Sequence, residues 1–148
     1  ELLPLKSLYS LERELEHGLN SKVWLRCGGY IVIEQTEALT AIDVNTGKFV
    51  TKKGDKESKD ITHLKVNIEA AQEIARQLRL RNLTGIIIID FINMQSDFHT
   101  TKLLEYLKFV IKNDTVICNV VDITKLGLVE MTRQKNGKSL KELMSDGE

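Results

Sequence analysis

Apolar residues recur in two rhythms along this chain. Leu5, Leu8, Leu11, Leu15 and Leu19 stand three or four positions apart, a spacing that gathers them on one stripe and predicts an amphipathic helix. Pro4 suits its first turn and Gly18 its end. Residues 22–26, 30–34 and 38–45 are short strand-like runs. Gly28-Gly29 sits between the first two, where a tight hairpin needs positive φ. The sheet is therefore expected to open as an antiparallel meander.

Residues 48–60 are polar and charged and contain Gly54, which reads as a mobile loop. Lys48, Lys52, Lys53, Lys56 and Lys59 either face water there or touch a polyanion. Residues 67–81 return to the helical rhythm, with Ile68, Ala71, Ile74, Ala75 and Leu78 as the apolar face. Arg76, Arg79 and Arg81 lie toward the end of this helix, and Asn82 or Gly85 stops it. Four isoleucines at 86–89 then lead into Asp90, a run expected of a central strand covered on both faces. A second amphipathic helix is expected at 97–112, with Leu103, Leu104, Leu107, Val110 and Ile111 inward. Strands follow at 116–121 and 126–132, and a short last helix at 139–144. The fold class is α/β: a mixed sheet, an antiparallel meander followed by βαβ crossovers, with helices packed on the sheet. The whole of 1–148 reads as one domain.

This order of elements brings two carboxylates together. A helix joining the third and fourth strands normally leaves them parallel and close. Asp43 lies near the carboxyl end of the third and Asp90 at the carboxyl end of the fourth. Open α/β sheets place their ligand sites along that edge. Paired carboxylates repel unless a cation or a shared proton compensates. Mg²⁺ takes one or two carboxylates, keeps several waters and accepts phosphate oxygens, chemistry suited to phosphodiester displacement. Asn45 points to the same side of its strand as Asp43, so its amide can meet a phosphate oxygen or a metal-bound water. The alternative is ordinary: aspartate at a strand end often caps the next turn. Calcium is a poor fit, because an EF-hand loop begun at Asp43 would have Lys48 where it needs Gly and Gly54 where it needs Glu.

Composition adds limits. Lys plus Arg and Asp plus Glu are 21 each, so the formal net charge is zero, which argues against nucleic-acid binding by bulk electrostatics alone. No stretch approaches the roughly 20 apolar residues of a membrane span, and no signal peptide is visible. Cys27 and Cys118 match no zinc spacing and read as reduced structural cysteines of a cytoplasmic protein. The first residue is Glu1, not Met, which suggests a piece of something longer.

Four blocks carry a family resemblance. The first runs from Gly28-Gly29-Tyr30-Ile31-Val32-Ile33-Glu34-Gln35-Thr36-Glu37 through Ala38-Leu39-Thr40-Ala41-Ile42-Asp43-Val44-Asn45-Thr46-Gly47. The second is Asn67-Ile68-Glu69-Ala70-Ala71 followed by Ile74-Ala75-Arg76-Gln77-Leu78-Arg79-Leu80-Arg81. The third is Gly85-Ile86-Ile87-Ile88-Ile89-Asp90-Phe91-Ile92-Asn93-Met94, and the fourth Leu126-Gly127-Leu128-Val129-Glu130-Met131-Thr132-Arg133. In this order they resemble the ribonuclease E/G family, the G type in particular, from about Leu19 to Arg133. The resemblance implies a deoxyribonuclease-I-like catalytic subdomain that hydrolyses single-stranded RNA, leaving a 5′-phosphate and a 3′-hydroxyl. It implies that Asp43 and Asp90 bind Mg²⁺ and that Asn45 orients the scissile phosphate and the attacking water. Arg133 and Lys125 are the candidate RNA contacts, with an exposed strand arginine the equal alternative for Arg133. The chain departs from the family pattern at Asn93, where a second aspartate is usual. It departs also at Thr115-Val116-Ile117, which offers no basic residue, and at Leu64-Lys65-Val66. The family's OB-fold RNA-binding region, 5′-monophosphate pocket and Cys-Pro-x-Cys zinc-link have no counterpart here, so weak RNA affinity is expected, with RNA-binding and oligomerisation domains missing.

Among the remaining residues, His17, His63 and His99 read as isolated surface or loop histidines, and Glu37 as a turn carboxylate. Glu69 reads as a helix-start residue serving the dipole, and Trp24 and Phe91 as core rather than base-stacking platforms. Two rivals to an Mg²⁺-dependent endoribonuclease remain. One is a nuclease-fold binding or assembly module without autonomous activity. The other is a phosphomonoesterase, for which the needed lysine and acidic-pair motif is absent.

Overall fold

The computed structural model describes residues 21–49 and 54–135. The helices expected at 5–19 and 139–144, with His17, Lys52 and Lys53, lie outside the described residues.

Three strands open the described chain: β1 (Lys22–Trp24), β2 (Tyr30–Gln35) and β3 (Thr40–Asn45). They form the expected antiparallel meander. Helix α1 (Lys56–Leu80) leads to β4 (Gly85–Asp90), α2 (Asp97–Ile111) to β5 (Cys118–Ile123), and a turn to β6 (Val129–Arg133). The six strands lie in the order β1-β2-β3-β4-β6-β5. Strand β3 is parallel to β4, while β6 runs antiparallel to both β4 and β5. The mixed α/β sheet stands as expected, with β6 slotted between the two strands that α2 connects.

Three strands start later than the sequence reading places them, for local reasons. Thr36 and Leu39 close a turn through backbone and hydroxyl bonds, so β3 starts at Thr40. The Val116 N–H is held by Asp114, which delays β5 to Cys118. A turn from Thr124 to Leu128 delays β6 to Val129.

The larger correction concerns residues 48–60. Helix α1 begins at Lys56, capped by Asp55, whose side chain accepts the Ser58 N–H. Lys56 and Lys59 therefore lie on an exposed first turn, not in a mobile loop. A charged, solvent-facing helical turn has the same composition as a loop, which is why the sequence masks it.

The core fills one side of the sheet. Ile31, Ile33, Ile42, Val44, Ile87, Ile89 and Met131 meet Val66, Ala70, Ile74 and Leu78 of α1 and Leu103 and Leu107 of α2. Strands β3 and β6 alternate buried and accessible positions, the period-2 signature of a sheet covered on one face. Strand β4 follows suit: Ile87 and Ile89 are fully buried, while Ile86 is 50% exposed. The expectation that both faces of β4 are covered is overturned, and the isoleucine run hid the alternation because both faces are apolar.

Candidate active site

On the open face the strand register places side chains in rows. Asp43 and Asp90 are direct Cα partners across the parallel β3–β4 pair, about 4.8 Å apart as neighbouring strands are. Both are exposed. Val32 lies opposite Asp43 on β2, and Lys22 opposite Val32 on β1. The next row holds Asn45, Tyr30 and Trp24, and the row on the other side holds Ala41, Glu34, Ile88 and Glu130. Val32, Glu34, Ala41, Ile88 and Leu128 line a depression of about 350 Å³ with the two aspartates.

Electrostatics single out Asp43. Partial burial pushes its carboxyl above the usual range, and the charges of Asp90 and Glu34 add to this, against a backbone hydrogen bond at Val44. Among the described residues no positive charge acts to lower the Asp43 carboxyl, the condition under which a cation is taken up. Among the described residues no group of three or more His, Cys, Asp and Glu converges. Two carboxylates with room around them fit an ion that completes its shell with water and phosphate oxygens, as Mg²⁺ does.

Asn45 ends β3 in a turn. Its Oδ1 accepts the Gly47 N–H at 3.1 Å, which fixes the side chain and leaves Nδ2 as a donor. The turn is crowded against the β1–β2 loop: a Cβ on Gly47, whose φ is +56°, would stand 2.4 Å from the Gly28 carbonyl oxygen. A Cβ on Gly29 would stand 2.8 Å from the Asn45 carbonyl oxygen. The Gly28-Gly29 dipeptide thus serves close packing beside Asn45, and only Gly28 of the two takes positive φ.

The loop after Asp90 is clamped by one face of α1. Asn67, fully buried, donates through Nδ2 to the Ile92 carbonyl and accepts the Ile92 N–H, both at 2.9 Å. Asp60 accepts the N–H groups of Gln95 at 2.7 Å and Ser96 at 3.2 Å, and pairs with His99 Nδ1. His63 Nδ1 lies 3.2 Å from the Asn93 carbonyl oxygen. Burial opposes ionisation of Asp60, but hydrogen bonds from His99, Gln95 and Ser96 outweigh it and hold the carboxyl below the usual range. Sequence reasoning missed this clamp, because it placed Asp60 in a loop and took His63 and His99 as isolated. The spacing of Asp60, His63 and Asn67 by three and four would have shown it once the helix start was recognised.

The other candidates are distributed as follows. Lys125 is exposed in the β5–β6 turn, whose Leu126 and Gly127 line a second depression with Asp90. Arg133 corrects the expectation of an exposed phosphate-binding arginine. It is 4% exposed and donates to Asp114 at 2.8 and 3.2 Å, to Asn82 Oδ1 at 2.8 Å and to the Leu83 carbonyl at 3.2 Å. This buried pair holds the far end of the β4–β6 ladder. Burial raises the carboxyl of Asp114, but Arg133 and the Val116 N–H outweigh it and lower it overall. Glu37 lies in the β2–β3 turn, at the opposite end of β3 from Asp43. Glu69 sits in the middle of α1, not at its start, and accepts the Cys27 N–H. Phe91 is core, as expected, but Trp24 is 55% exposed, contrary to expectation. Cys27 and Cys118 are free. Burial and Asp114 push the Cys118 thiol up to about 11, so it stays protonated near neutrality.

Fold and site together define an α/β domain with an acidic pair at the carboxyl ends of two adjacent parallel strands. Comparison with known proteins gives that class a family. The Ribonuclease E/G family matches residues 1–136, and the chain belongs to it. It is 45% identical over 141 residues to Ribonuclease G of Salmonella typhimurium and 46% over 143 residues to that of Haemophilus influenzae. It is 42% identical over 143 residues to Ribonuclease E of a Nostoc species. These alignments cover 95%, 97% and 97% of this chain but 28%, 28% and 20% of the relatives. The chain spans under a third of the length of the relatives it matches.

Proposed function

We propose that this chain is the phosphodiester-cleaving part of an endoribonuclease that hydrolyses single-stranded RNA to 5′-phosphate and 3′-hydroxyl ends, in cytoplasmic RNA processing and decay. The observation that carries the reading is the register of Asp43 against Asp90 on the open face, in a chain of the ribonuclease E/G family. Asp43 and Asp90 would hold Mg²⁺. When bound, the ion supplies an activated water and offsets phosphate charge. Asn45, with its Oδ1 tied to Gly47, directs its amide N–H groups at a phosphate oxygen. The α1 clamp keeps the segment after Asp90 in place, so that the carboxylate meets its ligand without reorganising. Lys125 contacts the RNA backbone from the β5–β6 turn.

The test is cleavage of a single-stranded RNA with Mg²⁺ by this chain and by Asp43→Asn and Asp90→Asn. Each substitution is expected to reduce the rate at least about 100-fold, the scale on which a group acting on developing charge contributes. Equal cleavage by all three proteins contradicts the assignment. A chain spanning 28% of its relatives can also depend on segments outside it. Absence of cleavage by the parent chain, with metal binding intact, identifies the assembly-dependent alternative.

A further inference from the structure

The open face carries a second feature that the aspartate pair does not use. Trp24 is 55% exposed on β1. Its ring meets that of Tyr30 edge to face, with centroids 5.1 Å apart. The Lys22 ammonium lies 4.3 Å from the Trp24 centroid and 4.1 Å from that of Tyr30. Trp and Tyr are enriched at interfaces, and a cation over two rings is an attraction that another flat, electron-poor or charged group can replace.

Position ties this cluster to the site. Tyr30 is the direct partner of Asn45, and Trp24 the direct partner of Tyr30. From Asp43 the backbone of Tyr30 is about 8 Å away and that of Trp24 about 12 Å, by strand spacing and rise. Lys22 shares a row with Asp43 and Asp90. On the other side of the aspartates the row holds Glu34 and Glu130, which repel a polyanion. A strand whose phosphate sits at the pair is therefore directed toward β1 by charge and received there by two rings and one cation.

We propose that Lys22, Trp24 and Tyr30 form a base-stacking subsite for single-stranded RNA, receiving a nucleobase one or two nucleotides from the phosphodiester held at Asp43 and Asp90. The proposal rests on the functional reading above and adds to it where the RNA lies. Aromatic side chains bind bases of any sequence through their faces. The incoming base takes the place of the Lys22 ammonium on the rings, and the ammonium moves to the phosphate beside that base. In a chain of zero net charge, stacking supplies affinity that bulk electrostatics does not.

The chain has a single tryptophan, so its intrinsic fluorescence reports on residue 24 alone. The experiment titrates the 148-residue chain with an oligoadenylate decamer, labelled at its 5′ end, in the presence of a chelator so that no cleavage occurs. Label anisotropy reads binding anywhere, and tryptophan emission reads binding at the subsite. Saturable quenching that follows the anisotropy curve, and that inorganic polyphosphate does not reproduce, is the expected result. Tyr30→Ala and Trp24→Ala should weaken binding about tenfold, within the range of one lost stack. Trp24→Phe should retain most of the affinity, and circular dichroism should show all three folded. Binding by anisotropy with unchanged emission overturns the subsite while leaving the aspartate assignment to the cleavage assay. Quenching by polyphosphate alone, or no RNA binding at millimolar protein, overturns it as well. An emission change that follows protein concentration without RNA also overturns it and assigns the patch to contact between copies of the chain.

Discussion

Asp43 stands where its own charge is unwelcome. Partial burial and the neighbouring Asp90 and Glu34 charges raise its carboxyl, so ionisation near neutrality costs folding stability, and protonation below the raised value relieves that cost. Asp43→Asn should lower cleavage at least about 100-fold and, by removing that charge, slightly stabilise the fold at pH 7. The gain should be under about 1 kcal/mol, because the group is solvent-screened. Thermal melts at pH 7 check this, and a loss of stability contradicts it. Arg133 is the opposite case. Removing it leaves Asp114, with 3% of its side chain exposed, charged and unpaired. Arg133→Ala should cost about 3–5 kcal/mol in urea unfolding, and a cost below about 1 kcal/mol would return the residue to the surface role expected from sequence. Gly47→Ala places a side chain in a left-handed conformation and against the Gly28 carbonyl. It should cost about 1–2 kcal/mol from the backbone alone and lower activity through Asn45.

At the scale of elements, the α1 clamp ties stability to the site. Asn67→Ala strands the N–H and C=O of Ile92, which should cost about 2 kcal/mol or more and weaken metal affinity by loosening the segment after Asp90. Parallel urea melts and metal titrations check both. The acid limb should also show the clamp. The carboxyls of Asp60 and Asp114 are lowered in the fold, so their contribution is complete above the ordinary value of 3.8 and is lost as pH falls below it. A melting temperature that drops between pH 4 and pH 2, and that Asp60→Asn makes less pH-dependent, is the expected outcome.

Much of this was legible in sequence. Period-2 runs gave the meander, helical spacing gave the apolar faces of α1 and α2, and the crossover between β3 and β4 brought Asp43 to Asp90. What stayed hidden shares a physical cause: composition does not separate an exposed helical turn from a loop, or an apolar open face from a buried one. The first turns of α1, with Asp60, read as a loop. Ile86 and Trp24 read as buried. Arg133 read as exposed, because its partner Asp114 is 19 positions away in the chain and no local pattern joins them.

At the scale of the molecule, the sheet is a two-sided device. One face is closed by helices and supplies rigidity. The other presents carboxylates, an amide, a cation and aromatics on alternate positions of adjacent strands, so that strand register alone sets their spacing. No helix among the described residues is long and apolar enough to cross a membrane. The chain spans 28% of its ribonuclease G relatives, and metal uptake at the proposed Asp43–Asp90 pair can be measured on this chain's own residues whether or not it cleaves. The most direct measurement is therefore a Mg²⁺ titration followed by amide NMR. The account predicts saturable shifts centred on Asp43, Asn45 and Asp90 at millimolar metal, lost in Asp43→Asn and in Asp90→Asn. Shifts elsewhere, or none at these residues, would contradict it.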